Sequence, residues 1–339
     1  MTPMADTELA RITVSVVVPF WNRIADTVQA LACIQQQTHT NLEIFFVDDG
    51  STDDLTPLLE LSALDPRVRV GRQAHQGAAV ARNHGVSLAT GKYVAFLDSD
   101  DLFDPPKIAT QLRFMESTGS LFCHTSYRRR FIEEDRPDEI IPSGTFRGQV
   151  FPGIMIHCPI AVPTVMIRRE LMLENPFPAG YILSEDSCAW MQLAAKTRLD
   201  GIDEVLSTIR AGATTTWQSV ATKIKVVRGV IRFAEGHPIL SRERRHIAQL
   251  KVELTAYQVQ ALIESLEQEP GVFDQGLILG SMDLRLSEWE DLLDRVDPRR
   301  RVALLRLYRR HAPPAVHRWV RRLKPLVSKL RPPRERSAG

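Results

Sequence analysis

The sequence lacks the patterns that mark several large classes of protein. Its 339 residues include four cysteines, Cys33, Cys123, Cys158 and Cys188, and these do not share the short paired spacing of a zinc site. We therefore expect reduced cysteines in a cytosolic protein. Residues 1–11 lack the basic and apolar pattern of a secretory signal, and no apolar run approaches the ~20 residues that span a bilayer. A protein that is soluble or peripheral to a membrane is expected.

The glycine-rich turn of dinucleotide-binding enzymes is also missing. After the first predicted strand the chain reads Pro19-Phe20-Trp21-Asn22, where a Gly-x-Gly-x-x-Gly turn would be required. This excludes a dinucleotide-dependent oxidoreductase. A sugar nucleotidyltransferase is disfavoured as well, because it would need a glycine-rich, arginine-bearing loop at this point, which is absent. A haloacid dehalogenase phosphatase fits poorly, because its Asp-x-Asp pattern comes early in the chain and continues differently from Asp98-Ser99-Asp100-Asp101.

Ordinary composition and an alternating pattern predict an α/β fold. With 44% hydrophobic and 25% charged residues, the chain can bury a full core. Apolar runs alternate with amphipathic segments, which favours a mainly parallel sheet with helices on both faces. The pattern predicts strands at 12–18, 42–47, 68–70 and 93–97, and helices at 26–37, with Asp26 as its cap, at 55–64 and 76–89, and from Pro105.

Three polar clusters follow predicted strands, at 19–22, 48–53 and 98–101. The carboxyl ends of parallel strands meet at one edge of a sheet, where open α/β sheets bind ligands. Asp98 and Asp100 could present oxygen ligands to Mg2+ or Mn2+, and the metal could hold a diphosphate. Alternatively, these acids are ordinary turn formers and helix caps.

Four ordered segments together resemble the family 2 glycosyltransferases. They are 14–22, 47–53, 79–85 and 96–101, and looser similarity continues through 163–171 and 184–190. The resemblance covers roughly residues 12 to 210. It implies the GT-A fold, which is Rossmann-like, with a mainly parallel mixed sheet flanked by helices.

The resemblance also implies a nucleotide diphosphate sugar donor, with a UDP-sugar as the expected one, and Mn2+ or Mg2+ as cofactor. By similarity, Asp100 is the metal ligand and Asp98 contacts the ribose or the metal. The remaining residues of the implied donor site are Pro19, Trp21, Asn22, Asp49, Arg82 and Ser99. Asp49 would face the nucleobase, Pro19 and Trp21 would line its slot, and Arg82 would approach the base or the phosphates. The alternatives to these donor contacts are that Arg82 is a solvated helix residue and that Trp21 packs in the core.

The second acidic motif supplies the predicted catalytic groups. An acceptor hydroxyl needs a general base, and the resemblance places Asp186 at that face, with inversion of the anomeric centre. Glu185 would orient the loop or the acceptor. The alternative is that both acids only cap a helix predicted from Ser187 to Lys196.

One departure from the family pattern concerns the segment after this motif. Many members have Arg-x-His, whereas here Arg210 is followed by Ala211 and Gly212. If the histidine assists metal or diphosphate binding, Thr214 to Thr216, Trp217 or water must replace it. A catalytically degenerate nucleotide-sugar-binding or scaffold protein of a glycan assembly complex is therefore the alternative function.

The chain is expected to have four parts. They are an N-terminal extension at 1–11, the GT-A domain at 12–215, a helical appendage at 216–298 with helices at 222–235, 241–267 and 282–296, and a basic amphipathic tail at 299–339.

The tail carries 14 Lys and Arg against one acid, Glu335, and apolar residues at helical spacing. A basic amphipathic segment suits an anionic membrane surface, here the cytoplasmic face beside a glycan or lipid-linked acceptor. Docking on the acidic body or on a partner is the alternative, and nucleic acid is not expected because no nucleic-acid-binding module accompanies the tail.

Overall fold

A computed structural model describes residues 5–132, 135–181, 183–211 and 220–267. The strands are Val14–Phe20 (β1), Leu42–Asp48 (β2), Val68–Arg72 (β3), Tyr93–Phe96 (β4), Leu102–Phe103 (β5), Phe122–Phe131 (β6), Glu139–Ile141 (β7), Met166–Arg168 (β8) and Asp200–Ala211 (β9). The helices are Asp6–Leu9 (α1), Ile24–Gln35 (α2), Thr56–Ala63 (α3), Ala78–Leu88 (α4), Lys107–Thr118 (α5), Arg169–Glu174 (α6), Glu185–Ala194 (α7), Val220–Gly236 (α8) and Arg244–Glu267 (α9).

The described strands form one mixed sheet in the order β3-β2-β1-β4-β8-β6-β9-β5, with β7 paired to β6. β1 lies between β2 and β4 and is parallel to both, and β3 continues the parallel half beyond β2. β8 runs antiparallel to β4 and β6. The four strands predicted in the first hundred residues are therefore confirmed, and they form the parallel half of the sheet.

Both faces of the parallel half are covered by helices, because successive β1 side chains point to opposite faces. Val16 and Val18 share a buried cluster with apolar residues of α2, α3 and α5. Val17 faces the other way and meets α4 at Gly85, where an added Cβ would lie 2.4 Å from Val17 Cγ1. A side chain at residue 85 would therefore separate α4 from the sheet.

The predicted starts of α2 and α5 were each misplaced by two residues. α2 begins at Ile24 with Arg23 as its N-cap residue, so Asp26 is not the cap. Instead, Asp26 Oδ1 lies 3.1 Å from Arg210 Nη2, and this ion pair accounts for an acid in the first turn. The helix expected from Pro105 begins at Lys107, after Pro106 at the N-cap position.

The chain divides into two compact units. The first is drawn from residues 1–216 and 229–247, and the second from 217–228 and 248–339. In the part of the chain that the structure describes, no helix is long and apolar enough to cross a membrane. The predicted helix at 282–296, the basic tail and the segment 212–217 lie outside the described residues, and the proposed domain boundaries stay predictions.

Candidate functional site

The three polar clusters meet at the carboxyl ends of β1, β2 and β4. Phe20 at the end of β1 is in register with Asp48 at the end of β2, and the backbone N–H of Asp49 donates to Phe20 O over 2.9 Å. On the other side of β1, Leu97 N donates to Val17 O over 3.1 Å, which brings the turn at Asp98 to the same edge. The convergence expected from the strand pattern is therefore present.

Asn22 joins the first two clusters. Its Oδ1 accepts from Thr52 N over 2.7 Å, and its own N–H donates to Ser51 Oγ over 2.9 Å. Its φ of +50° lies in the left-handed region, which Asn tolerates better than most residues. These bonds hold the β1–α2 and β2–α3 turns together, and a role for Asn22 toward the donor stays a prediction.

The Asp49 carboxylate anchors the loop that enters α4. Its Oδ1 accepts from Gln76 N over 2.9 Å and from the Gln73 side chain over 2.8 Å, and its Oδ2 accepts from Gly77 N over 2.8 Å. The carboxylate is buried and occupied by these partners. A contact between Asp49 and a nucleobase stays a prediction.

An exposed aromatic surface lies beside this loop. The Trp21 ring stacks on the His75 ring, with centroids 4.5 Å apart, and Trp21 is 48% exposed. The alternative of Trp21 as a core residue is therefore wrong. Pro19 is buried within β1 opposite Val47, so Trp21 is the more accessible of the two residues assigned to the base slot.

The turn after β4 concentrates negative charge. Burial and the neighbouring Asp98 raise the pKa of Asp100, and burial and Asp100 raise the pKa of Asp101 well above its usual range. Two arginines offset this charge: Arg23 pairs with the Asp100 carboxylate, and Arg210 donates through its side chain to Asp100 O. The backbone N–H of Arg210 also donates to Asp101 Oδ1 over 2.9 Å. Ser99 is buried in the same turn.

Arg82 links the two acidic motifs. Its Nη2 lies 2.6 Å from Asp98 Oδ1, and its Nη1 lies 3.2 Å from Glu185 Oε1. The residue is only 4% exposed, so the alternative of a solvated helix position is wrong. Burial alone would lower the pKa of Arg82, but the two carboxylates outweigh burial and raise it. A direct contact with the donor stays a prediction.

An aromatic layer supports this bridge. The Arg82 guanidinium carbon lies 5.3 Å from the Phe177 ring centroid. Phe177 packs edge-on against Phe96 of β4 and Trp190 of α7, with centroids 5.1 and 5.5 Å apart. The layer thus connects the strand before the first acidic motif with the helix that carries the second.

The second acidic motif forms the first turn of α7. Ser184 is the N-cap residue, so neither Glu185 nor Asp186 is the cap, and the helix begins two residues earlier than predicted. Asp186 Oδ1 accepts from Ser187 N over 2.6 Å. Burial, followed by the charge of Glu185, raises the pKa of Asp186 to about 7. A carboxylate with this pKa is well matched to proton abstraction near neutral pH.

The sequence interpretation missed the contacts of Arg23 and Arg210 with the acidic turn. Arg23 directly follows the first polar cluster, and Arg210 belongs to the Arg-x-His segment in which Gly212 replaces the histidine. The sequence singled out Arg210 through that segment but did not single out Arg23. Nothing in the local sequence indicates that these arginines contact Asp100, which lies 77 residues after Arg23 and 110 residues before Arg210.

The acidic turn fits a divalent cation, because a positive charge would reduce the repulsion between these crowded carboxylates. Burial and this repulsion raise the pKa values of Asp100 and Asp101. Among the described residues, no group of three or more His, Cys, Asp or Glu is arranged to hold a metal. Asp98 and Asp100 are the residues of the turn that could hold Mn2+ or Mg2+, and oxygens of a donor diphosphate would complete a site with few protein ligands. That these two residues hold the metal stays a prediction.

The fold is that of solved glycosyltransferases. S. aureus TarS 1–349 in complex with UDP-GlcNAc matches with a TM-score of 0.59, at 17% identity, over 93% of this chain and 92% of that one. The expected GT-A architecture is thereby confirmed.

Sequence comparisons identify the family. The sequence profile described as Glycosyl transferase family 2 matches residues 15–174. The UDP-Glc:alpha-D-GlcNAc-diphosphoundecaprenol beta-1,3-glucosyltransferase WfaP of Escherichia coli is 33% identical over 187 residues, which cover 54% of this chain and 70% of that protein. The chain belongs to glycosyl transferase family 2.

Greater identity is found in a longer protein. An uncharacterized glycosyltransferase of Rickettsia felis is 45% identical over 215 residues, which cover 63% of this chain and 36% of that protein. The chain thus spans about a third of the length of this relative.

Proposed function

We propose that this protein transfers a sugar from a nucleotide diphosphate sugar, with UDP as the expected nucleotide, to an acceptor hydroxyl with inversion. The observation that carries the proposal is the Arg82 bridge, which holds an acid of the turn after β4 and an acid of the α7 motif on one guanidinium. A single-displacement transfer needs a site for the leaving diphosphate and a base for the incoming hydroxyl at neighbouring positions. The two motifs supply these groups.

In this proposal, the chain's own residues divide the work. Asp186 accepts the proton of the acceptor hydroxyl while the hydroxyl oxygen bonds to the anomeric carbon. At the same time, the bond from that carbon to the diphosphate breaks. Glu185, held by Arg82, orients the acceptor or the loop. Trp21 offers an aromatic face for the nucleobase.

Asp98 and Asp100 would hold the divalent cation, whose contribution when bound is to stabilise negative charge on the leaving diphosphate. Arg23 and Arg210 lie against the same turn and supply further positive charge there. Because Arg23 pairs with one oxygen of the Asp100 carboxylate, it competes with a cation for that group.

A sugar carried on a lipid diphosphate is the proposed acceptor class. Support comes from the Escherichia coli relative, whose name specifies a diphosphoundecaprenol-linked acceptor. The basic tail fits the same proposal, because an acceptor of this class lies in a membrane. We propose a cytoplasmic protein that binds the inner membrane face through residues 299–339, in bacterial cell-surface polysaccharide or glycolipid synthesis.

The test is a transfer assay with purified protein, Mn2+, a panel of nucleotide sugars and a short-chain polyprenyl diphosphate sugar in detergent. The expected product is heavier than the acceptor by one glycosyl residue, and its new linkage has the opposite anomeric configuration to the donor. Donor binding without transfer to this acceptor or a free oligosaccharide would favour the degenerate scaffold protein instead.

A further inference from the structure

The loop before the catalytic motif is constrained at its described residues, Gly180, Tyr181, Leu183 and Ser184. Ser184 is the N-cap residue of α7, so its placement determines where Asp186 points two residues later. Gly180 has φ +80°, and Leu183 has φ +67°, a conformation that an L side chain rarely adopts. A non-glycine residue in this region persists when its surroundings hold it there, and such residues cluster at functional sites.

α8 supplies those surroundings. An added Cβ at Gly229 would lie 2.4 Å from Ser184 Oγ, so any residue other than glycine here requires the side chain of the N-cap residue to rotate or α8 to move away from it. One turn along the helix, Arg232 Nη2 donates to Gly180 O over 2.8 Å. These contacts hold both ends of the loop.

Aromatic contacts also join α8 to the loop. The Tyr181 and Phe233 rings meet edge-on with centroids 5.3 Å apart, and the Arg232 guanidinium carbon lies 4.6 Å from the Tyr181 ring centroid. Gly229, Arg232 and Phe233 belong to the same compact unit as the loop. The contacts are thus internal to the unit that carries the acidic motifs.

We infer that α8 is a brace for the catalytic base: Gly229 and Arg232 are positioning residues that fix Ser184 and the start of α7, and thereby the direction of Asp186. The role of the braced acid rests on the proposed function. Displacing a reacting group by about 1 Å can reduce a rate by ~100-fold, so a small movement of Ser184 is sufficient to impair transfer.

The decisive variant is Gly229→Ala, which places a methyl group against Ser184 Oγ. We expect kcat to fall by about 10- to 100-fold while the donor Kd stays within about two-fold, because the donor site lies at the strand ends. Ser184→Ala in the Gly229→Ala background removes the colliding oxygen and should restore kcat to within a few-fold of the Ser184→Ala single variant. Gly236→Ala is the matched control, because nothing lies within 4 Å of a Cβ added there.

Hydrogen exchange of the amides at 184–188 tests the brace without any activity. Gly229→Ala should accelerate exchange there, including at Cys188, whose N–H donates to Ser184 O over 2.9 Å, and should leave β1 and β4 unchanged. Arg232→Met should act in the same direction and serves as the second variant if Gly229→Ala does not fold.

The results separate the two proposals. In a protein that transfers no sugar, faster exchange at 184–188 in Gly229→Ala that Ser184→Ala reverses would uphold the brace and reject the proposed function. Gly229→Ala that behaves like Gly236→Ala in both readouts would overturn the brace. A loss of kcat without faster exchange, or without rescue by Ser184→Ala, would overturn it as well.

Discussion

At the scale of single residues, Asp186 and Arg82 act on each other through charge. Burial and Glu185 raise the pKa of Asp186, whereas Arg82 and the N–H of Ser187 lower it. The balance leaves a carboxyl whose pKa is about 7. A base with this pKa is partly ionised at neutral pH and still accepts a proton readily, which is the compromise that general base catalysis needs.

Asp186→Asn should fold normally and lose ~100- to 10,000-fold in kcat, the range that general base catalysis contributes. In the wild type, kcat/KM should rise with pH and level off above about 7, because only the deprotonated carboxylate accepts the acceptor proton. The measurement is a pH series of initial rates. An Asp186→Asn variant that retains the rising limb would assign that limb to another group.

Arg23→Gln should bind Mn2+ about two- to five-fold more tightly than the wild type in the absence of donor. The Arg23–Asp100 pair is partly exposed, so breaking it costs ~0.5–1 kcal/mol of free energy. Removing this cost from metal binding gives the expected gain in affinity. Titration of free Mn2+ by electron paramagnetic resonance measures it. Arg23→Lys keeps the charge and should stay near the wild type. Equal or weaker binding by Arg23→Gln would show that Arg23 does not compete with the metal.

At the scale of secondary structure elements, a buried carboxylate holds the parallel strands at the end opposite the site. Glu43 of β2 accepts from Ser15 Oγ over 2.5 Å, from the N–H and hydroxyl of Thr90 over 2.5 and 2.9 Å, and from Gly91 N over 2.7 Å. These bonds connect β2, β1 and the segment that leads into β4. The three strands that carry the polar clusters are therefore fixed relative to one another.

Glu43→Gln should destabilise the fold by about 1–3 kcal/mol at pH 7, because one carboxylate oxygen becomes an amide that faces buried donors. Burial alone would raise the pKa of Glu43, but its hydrogen bonds outweigh burial and lower it. Because the pKa of Glu43 is lower in the folded protein than the 4.5 of the unfolded chain, the ionised carboxylate stabilises the fold above pH 4.5. This stabilisation is lost as the pH falls through the pKa of the folded state.

Chemical denaturation at pH 7 and below pH 4.5 measures the difference between the variant and the wild type, which should narrow in acid. Glu60→Gln is the control, because Glu60 is exposed on α3 and its change should stay within about 0.5 kcal/mol. A constant difference at all pH values would indicate that the loss comes from packing instead of charge.

At the scale of the whole molecule, local patterns determine much of the architecture. The alternation of apolar runs and amphipathic segments predicts β1 to β4 and the helices between them, and strand ends predict where the polar clusters meet. The pairing of Arg82 with Glu185 spans 103 residues and depends on how α4 and α7 pack together, so no local pattern encodes it. The contact of Gly229 with Ser184 was missed for the same reason.

Deleting residues 299–339 should reduce binding to vesicles that contain anionic lipids. The tail carries a net charge of +13, and each basic residue near an anionic surface contributes ~1 kcal/mol. Sedimentation with vesicles at low and high salt measures binding, which should weaken with salt because the charges are screened. Replacing the tail arginines by glutamine is the matched variant, because it removes their positive charge and keeps the length of the tail. Unchanged binding after deletion would reject the membrane role.

Thermal unfolding with a panel of donors is the sharpest test of the proposed metal-dependent nucleotide-sugar site at the strand ends. A ligand that binds only the folded state at 100 times its Kd stabilises it by ~2.7 kcal/mol. We predict stabilisation by one class of nucleotide sugar that requires Mn2+, is lost in Asp100→Ala and is kept in Glu60→Ala. A wild type that no donor stabilises would rule out this site.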